Sequence, residues 1–434
     1  MSIKENKMKE KIKIGYIGLG RRGFNMLEEC FLQMSDVEVP IVCDVDEKRI
    51  EMTKELFKKM GRPEPKTTTD YNDVINEPGL DAALLMSAWE GRTDMAKKAM
   101  EKGLYTGIEV GCSATLDECF ELINTYEKTG TPLMMLENCC YGRREMMVLN
   151  MVKRGLFGEI VHCEGAYAHY LVDCALFKEI CVFGEKDITH YRVQHYIDGN
   201  RENYPTHELG PICKVLNINR GNRLVRLNSV SSKSRGIKSF AKSHIGEGHR
   251  LAQTDYNQGD IVNTIITCEN GETISIKLDT TLPRAYYSRE FSVRGTKGMS
   301  SEERRAIYLE GMPEPTENNE QDFYPQYDHP LHKEYVAAGE RGGHGGMDWL
   351  ICRAFIEAVK RGENTPIDAY DTVTWMSIGV LSEMSIKNNG ASVDIPDFTN
   401  GKYKHREPAV LGKYCLAEIC EDKETPIFAD LPAE

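Results

Sequence analysis

Nowhere in the 434 residues is there an apolar run close to the roughly 20 that a membrane-spanning helix needs; stretches such as 80–88 fall far short. Positive charge is in deficit, with 54 Lys and Arg against 67 Asp and Glu and a net charge of −13. A nucleic-acid partner is therefore not expected, because phosphate neutralisation needs clustered Lys and Arg. The opening MSIKENKMKEKIKIGYIG is charged for its first ten residues and then enters a strand pattern. It lacks the apolar core and small-residue cleavage site of a secretory leader. HExxH and paired CxxC motifs are missing, so no metal is expected. The 14 cysteines lie singly, apart from the adjacent Cys139-Cys140, and mostly within apolar runs. That distribution reads as free buried thiols in a reducing compartment. The expectation is a cytoplasmic protein without a membrane partner, of two or three domains and large enough for a catalytic site.

What is present is, first, an alternation. Strand patterns at 11–17, 37–43, 80–86, 104–109 and 132–136 alternate with helical spacing at 23–34, 47–60, 93–102 and 116–128. Such alternation predicts a parallel sheet with helices on both faces. After about Gly158 the texture changes to strands at 160–168, 224–230, 261–268, 273–278 and 291–294, with few helices between. Asn270-Gly271 marks a hairpin between two of them, since both residues accept the positive φ of a tight turn. The segment 311–330, rich in Pro, Glu and Asn, reads as a long surface loop, and 347–361 and 371–387 read as late helices of undetermined place.

The first strand runs into Gly18-Leu19-Gly20-Arg21-Arg22-Gly23, a G-x-G-x-x-G that opens a helix. Gly18 permits the tight turn, Gly20 lets backbone approach a pyrophosphate, and Gly23 allows close helix–strand packing. Asp44 follows the next strand, 21 residues after Gly23. A carboxylate there accepts hydrogen bonds from a ribose diol and repels a 2′-phosphate, which favours NAD over NADP. The alternative is a glycine-rich turn without cofactor, with Asp44 as a helix cap. The fold expected is α/β: an N-terminal Rossmann domain (doubly wound parallel sheet) at 11–145. A second, α+β domain with a large, mostly antiparallel sheet is expected at 146–434, and the family resemblance drawn from the motifs below implies that it binds substrate and mediates oligomerisation.

A Rossmann domain followed by a β-rich domain resembles the Gfo/Idh/MocA oxidoreductases of sugars and cyclitols. Their Glu-Lys-Pro stretch, whose lysine transfers the substrate proton, is Glu109-Val110-Gly111 here, and valine carries no proton. Other stretches resemble one branch, glycoside hydrolase family 109, the NAD-dependent α-N-acetylgalactosaminidases. They are Trp89-Glu90, Glu109-Val110, Glu137-Asn138-Cys139-Cys140-Tyr141-Gly142-Arg143, Gly165-Ala166-Tyr167, Tyr204-Pro205-Thr206-His207, Leu209-Gly210-Pro211, Arg294-Gly295-Thr296-Lys297-Gly298 and His344-Gly345-Gly346-Met347-Asp348. The chain departs from that branch at Gly91-Arg92, where Trp-His is usual, at Gly111, where proline is usual, and at Glu208, where glycine is usual.

The resemblance implies a glycosidase acting on an N-acetylgalactosaminide or related hexosaminide or hexoside. The sugar is oxidised transiently at C3 and loses its C2 proton. The C1 substituent is eliminated, water adds, and the hydride is returned. NAD would stay tightly bound and be recycled within turnover. Carried over residue by residue, His207 and Tyr167 would be catalytic, His207 at C3 and Tyr167 at C2 or the leaving group. Tyr167, Arg192, Tyr204, His207 and Tyr287 would bind the sugar, with Tyr286 the alternative to Tyr287. Gly18, Gly20, Arg22, Gly23, Asp44, Trp89, Arg92, Glu109 and Asn138 would face the cofactor. Taken alone, His207 reads equally as a hydrogen-bonded structural histidine and Tyr167 as a core residue. Glu208, a carboxylate beside His207, is expected to alter sugar selectivity. The competing functions are an NAD-dependent sugar or cyclitol dehydrogenase and a catalytically idle sugar-responsive or NAD-binding regulator. By resemblance the protein is a homo-oligomer.

Overall fold

The computed structural model describes residues 9–111, 115–177, 191–313, 317–406 and 413–417. These gather into two compact units. The first holds the chain up to Met146, His329–Thr374 and the described residues from His405 on; the second holds Met147–Asp328 and Trp375–Lys404.

In the first unit six strands form one sheet: β1 (Ile12–Ile17), β2 (Val37–Cys43), β3 (Lys66–Thr68), β4 (Ala82–Leu85), β5 (Tyr105–Ile108) and β6 (Leu133–Met135). Their order is β3-β2-β1-β4-β5-β6, and every pairing is parallel. Strands such as Ala82–Leu85 are wholly buried, as a parallel sheet covered on both faces requires. The helices α1 (Arg21–Glu29), α2 (Glu47–Lys59), α3 (Tyr71–Asn76), α4 (Arg92–Glu101) and α5 (Leu116–Thr129) connect them. Their ends follow local chemistry. Asp46 caps α2 by accepting from Lys48 N, and Thr115 and Glu118 form a reciprocal capping box on α5. The strand order reverses between β1 and β4, and ligands of such sheets bind at that reversal, beyond the strands' carboxyl ends. The short edge strand β3 and six-residue α3 carry too little periodicity to show in the sequence.

The late helix Met347–Arg361 also belongs to this unit. It buries Leu350, Ile351, Phe355, Ile356 and Val359, and the Phe355 ring lies 3.3 Å from where a Cβ on Gly107 of β5 would stand. Arg353 holds Asp36 through two hydrogen bonds of 2.7 Å, and Lys360 adds a third of 2.7 Å.

The second unit is built on eight strands: β7 (Ile160–Ala168), β8 (Leu224–Ser231), β9 (Ile261–Cys268), β10 (Thr273–Asp279), β11 (Ser292–Gly295), β12 (Gly298–Ser301), β13 (Ala306–Leu309) and β14 (Val393–Asp394). Their order is β13-β12-β11-β7-β10-β9-β8-β14. All pairs are antiparallel except β10 with β7. The β9–β10 hairpin turns through Gly271 at φ 99°, as the sequence predicts.

Two expectations for this half fail. Helices do lie between the strands, among them Arg192–Asp198, Thr206–Val215 and Gly236–His244. Pro211 within Thr206–Val215 masks a helix whose Leu209, Ile212, Cys213 and Val215 are all buried. The segment 311–330 is not one long loop either: Glu320–Tyr327 is helical despite Pro325, and it buries Phe323, Tyr324 and Tyr327. Aromatic burial at i, i+1 and i+4 outweighs the composition. No helix among the described residues is long and apolar enough to cross a membrane.

Candidate active site

The fingerprint turn sits at the carboxyl end of β1. Gly18 has φ 98°, and a Cβ there would stand 2.5 Å from the Met86 carbonyl carbon and 2.6 Å from Ser87 N; only glycine fits. A Cβ on Gly23 would collide with the Gly18 carbonyl, and the buried Tyr16 hydroxyl donates to Gly23 O at 2.6 Å. Gly20 is the N-cap of α1 and offers no side-chain cap. The nearest atom to a Cβ on it would be Arg49 Nη1, 3.6 Å away. This is a glycine-lined cradle at a helix N-terminus, an arrangement suited to an anion.

Asp44 is buried where β2 ends. It accepts from Leu19 N at 2.6 Å and from Asp46 N at 2.9 Å, with Arg49 Nη1 3.7 Å away. It does not cap α2; Asp46 does. Two backbone donors occupy about half of a carboxylate's accepting positions, and the others suit a ribose diol. The glycine cradle, the helix start and this carboxylate fit a dinucleotide.

Around the cradle, Arg22 donates through Nη1 and Nη2 to Asp348 at 2.7 Å each, and its Nε lies 3.4 Å from Glu109 Oε2. Asn138 Nδ2 donates to Asp348 Oδ1 at 2.7 Å, and His344 Nδ1 lies 2.7 Å from Oδ2. Burial opposes the charge on Asp348, but the hydrogen bonds and charges of Arg22 and His344 prevail and hold its carboxyl well below the usual range. The structure thus brings Arg22, Glu109 and Asn138 together around a residue to which the sequence assigned no role. Arg92 turns inward, donating to the carbonyls of Ser87, Glu109 and, at 3.1 Å, Val110. Trp89 Nε1 donates to Val110 O at 3.2 Å, and its indole lies across the face of Gly111, where any Cβ would overlap it.

In the second unit the carboxyl end of β7 carries a ring cluster. Tyr167 stacks on Tyr204 with centroids 4.3 Å apart and meets His207 edge-on at 5.3 Å. The Arg192 guanidinium lies 4.4 Å over the Tyr204 ring. His169 stands 5.7 Å from Tyr167 and 5.1 Å from Tyr287, with its Nδ1 3.4 Å from the Tyr167 hydroxyl. Paired hydrogen bonds between Ala168 and Ser288, 3.1 Å each, bring Tyr287 beside β7. Tyr286 instead donates to Glu303 at 2.9 Å and is exposed. Tyr204 N approaches the wholly buried Glu202 at 3.4 Å. Burial pushes the Glu202 carboxyl up to about 8, against hydrogen bonds from the backbone of Tyr204 and Leu278.

Sequence reasoning missed His169, although it lies two positions after Tyr167 and so shares its strand face. Glu208, placed beside His207 by sequence, is 1% exposed. Its Cβ is 2.6 Å from where a Cβ on Gly165 of β7 would be, so it packs between its helix and the sheet.

Residues 12–137 match the family model of the oxidoreductase family, NAD-binding Rossmann fold, and residues 141–405 match that of glycosyl hydrolase 109, C-terminal domain. A glycosyl hydrolase family 109 protein of Stenotrophomonas maltophilia is 38% identical over 425 residues, 93% of each chain. The chain belongs to glycosyl hydrolase family 109. It is also 37% identical to an α-N-acetylgalactosaminidase of Tannerella forsythia, over 92% of this chain and 88% of that one. Among solved structures, levoglucosan dehydrogenase in complex with NADH and levoglucosan shares the fold at a TM-score of 0.66 and 16% identity, covering 89% of this chain and all of that one. Apo scyllo-inositol dehydrogenase from Lactobacillus casei does so at 0.62 and 13%, covering 89% and 99%. The protein is thus a family 109 glycoside hydrolase with an NAD-binding Rossmann domain.

Proposed function

We propose that this family 109 enzyme cleaves an α-N-acetylgalactosaminide or a related hexosaminide, with NAD held and recycled within each turnover. The observation that carries the reading is the ring cluster: a phenol, an imidazole and a guanidinium ordered by stacking at one strand end. Bound NAD would lie on the glycine cradle against Asp44, and its nicotinamide would supply a reversible hydride acceptor for C3. The remaining work is proton transfer and positioning. His207 takes the C3 hydroxyl proton and later returns it. Tyr167 moves the proton at C2 or at the leaving oxygen, and Arg192 holds sugar oxygens with its fork of donors. Stacking of Tyr204 on Tyr167 limits the phenol to a narrow range of positions. No pair of carboxylates flanking the glycosidic bond is needed.

By the resemblance of Glu109-Val110-Gly111 to the Glu-Lys-Pro stretch of sugar dehydrogenases, Val110 stands in place of their proton-transferring lysine, which weighs against a net dehydrogenase. The reading extends to a cytoplasmic homo-oligomer. Among the described residues, ten cysteines, nine of them buried, are free thiols, which suits a reducing compartment. One face of the β8–β9 pair exposes Val230 and Ile265, apolar surface suited to a second copy. The test is release of aryl alcohol from an aryl α-N-acetylgalactosaminide while absorbance in the NADH band is followed. Release without accumulating NADH is expected, and Tyr167→Phe and His207→Gln should each lower kcat by roughly 10²–10⁴-fold. Steady NADH growth without release would overturn the proposal.

A further inference from the structure

We propose that Asp348 is a positioning residue for the cofactor, fixing Arg22 and Asn138 from outside the dinucleotide fingerprint. This inference rests on the reading that Arg22 and Asn138 face NAD. The carboxylate receives four contacts of 2.7 Å: two from the Arg22 fork, one from the Asn138 amide and one from His344. Those four contacts fill what a carboxylate can accept. A bidentate pair fixes the plane of a guanidinium as well as its distance. Arg22 lies in the first turn of α1, immediately before Gly23, and Asn138 opens the turn Asn138–Tyr141 after β6. One side chain therefore sets the orientation of two residues at the ends of two different strands.

The exposure of the pair is unequal. The Asp348 side chain is 3% exposed and that of Arg22 is 31%. A salt bridge serving only the core would bury both partners; here the anion is buried and the cation keeps a face toward solvent. Asp348 arrives on the first turn of Met347–Arg361, preceded by Gly345 and Gly346 at φ 64° and 92°. A Cβ on Gly346 would run into the Tyr335 ring, so the approach of this helix is itself tightly specified.

The test is calorimetric titration of NAD+ into nucleotide-stripped full-length protein without any glycoside, so it does not depend on the glycosidase reading. Asp348→Asn should weaken NAD+ binding at least tenfold. Arg22→Gln should do the same, and the double variant should bind no more than about threefold worse than either single one, because both changes break one unit. Should Asp348→Asn fail to fold, Arg22→Lys carries the test. It keeps the charge but loses the fork, and the same tenfold loss is expected. Affinity within twofold of the parent in Asp348→Asn or Arg22→Lys, or losses that multiply fully in the double variant, would overturn the proposal. If Arg22→Gln and Asn138→Ala both bind NAD+ like the parent, the assignment of those two residues to the cofactor fails, and the proposal with it. If both weaken binding while Asp348→Asn does not, only the proposal fails.

Discussion

Glu202 shows how one buried side chain makes stability depend on pH. Its carboxyl is pushed up to about 8 by burial, well above the usual glutamate value near 4.3. The folded state therefore binds more protons than the unfolded state between those values. The sign follows: the contribution is fully present below about pH 4 and is lost as pH rises toward 8, at no more than about 1.4 kcal/mol per pH unit. Glu202→Gln removes the titration, so its stability relative to the parent should rise between pH 5 and 8 in denaturant melts; a constant difference would contradict the assignment. Single residues were unequally readable in the sequence. Tyr167, Tyr204 and His207 stood in short motifs, but Asp348, 326 positions from its partner Arg22, gave no sign of its bonds. The burial of Glu208 against Gly165 of β7 was not legible either, since successive residues of a helix point about 100° apart and its neighbour His207 says little about its packing.

The turn between β1 and α1 is the element on which the proposed cofactor binding rests. Its glycines were readable because each answers a backbone demand that no other residue meets. Gly18→Ala would place a methyl against the backbone of Met86 and Ser87 at a φ of 98°. NAD+ binding in calorimetry should fall at least tenfold, at a stability cost of about 1–3 kcal/mol; unchanged binding would contradict the cradle. Long amphipathic helices are legible because their periodicity spans many residues, and the buried strands because they read as continuous apolar runs. Elements that hid did so for identifiable reasons: β3 and α3 are short, and prolines stand inside Thr206–Val215 and Glu320–Tyr327. A proline's local cost was outweighed there by the apolar face it interrupts.

Across the whole chain, the property least visible in sequence is its path. The change of texture near Gly158 marks a real change of sheet type, but nothing in 347–361 announces that this helix rejoins the first unit. It does so through Arg353 and Lys360 on Asp36. Hydrogen bonds from Arg353, against the opposing effect of burial, hold the Asp36 carboxyl well below the usual range. A carboxyl so lowered contributes stability above about pH 4 that is lost as pH falls. Asp36→Asn should cost about 1–3 kcal/mol at pH 7 and progressively less toward pH 3, in melts followed by circular dichroism. A pH-independent cost would point to packing instead.

We propose hydrolysis without net redox change, by way of the C2 proton. It is tested most directly by running aryl α-N-acetylgalactosaminide hydrolysis in deuterium oxide, with no added nucleotide, and locating label in the released sugar. One deuterium at C2 in every product molecule is expected, with no NADH accumulating. Sugar released with its original hydrogen at C2 would contradict it.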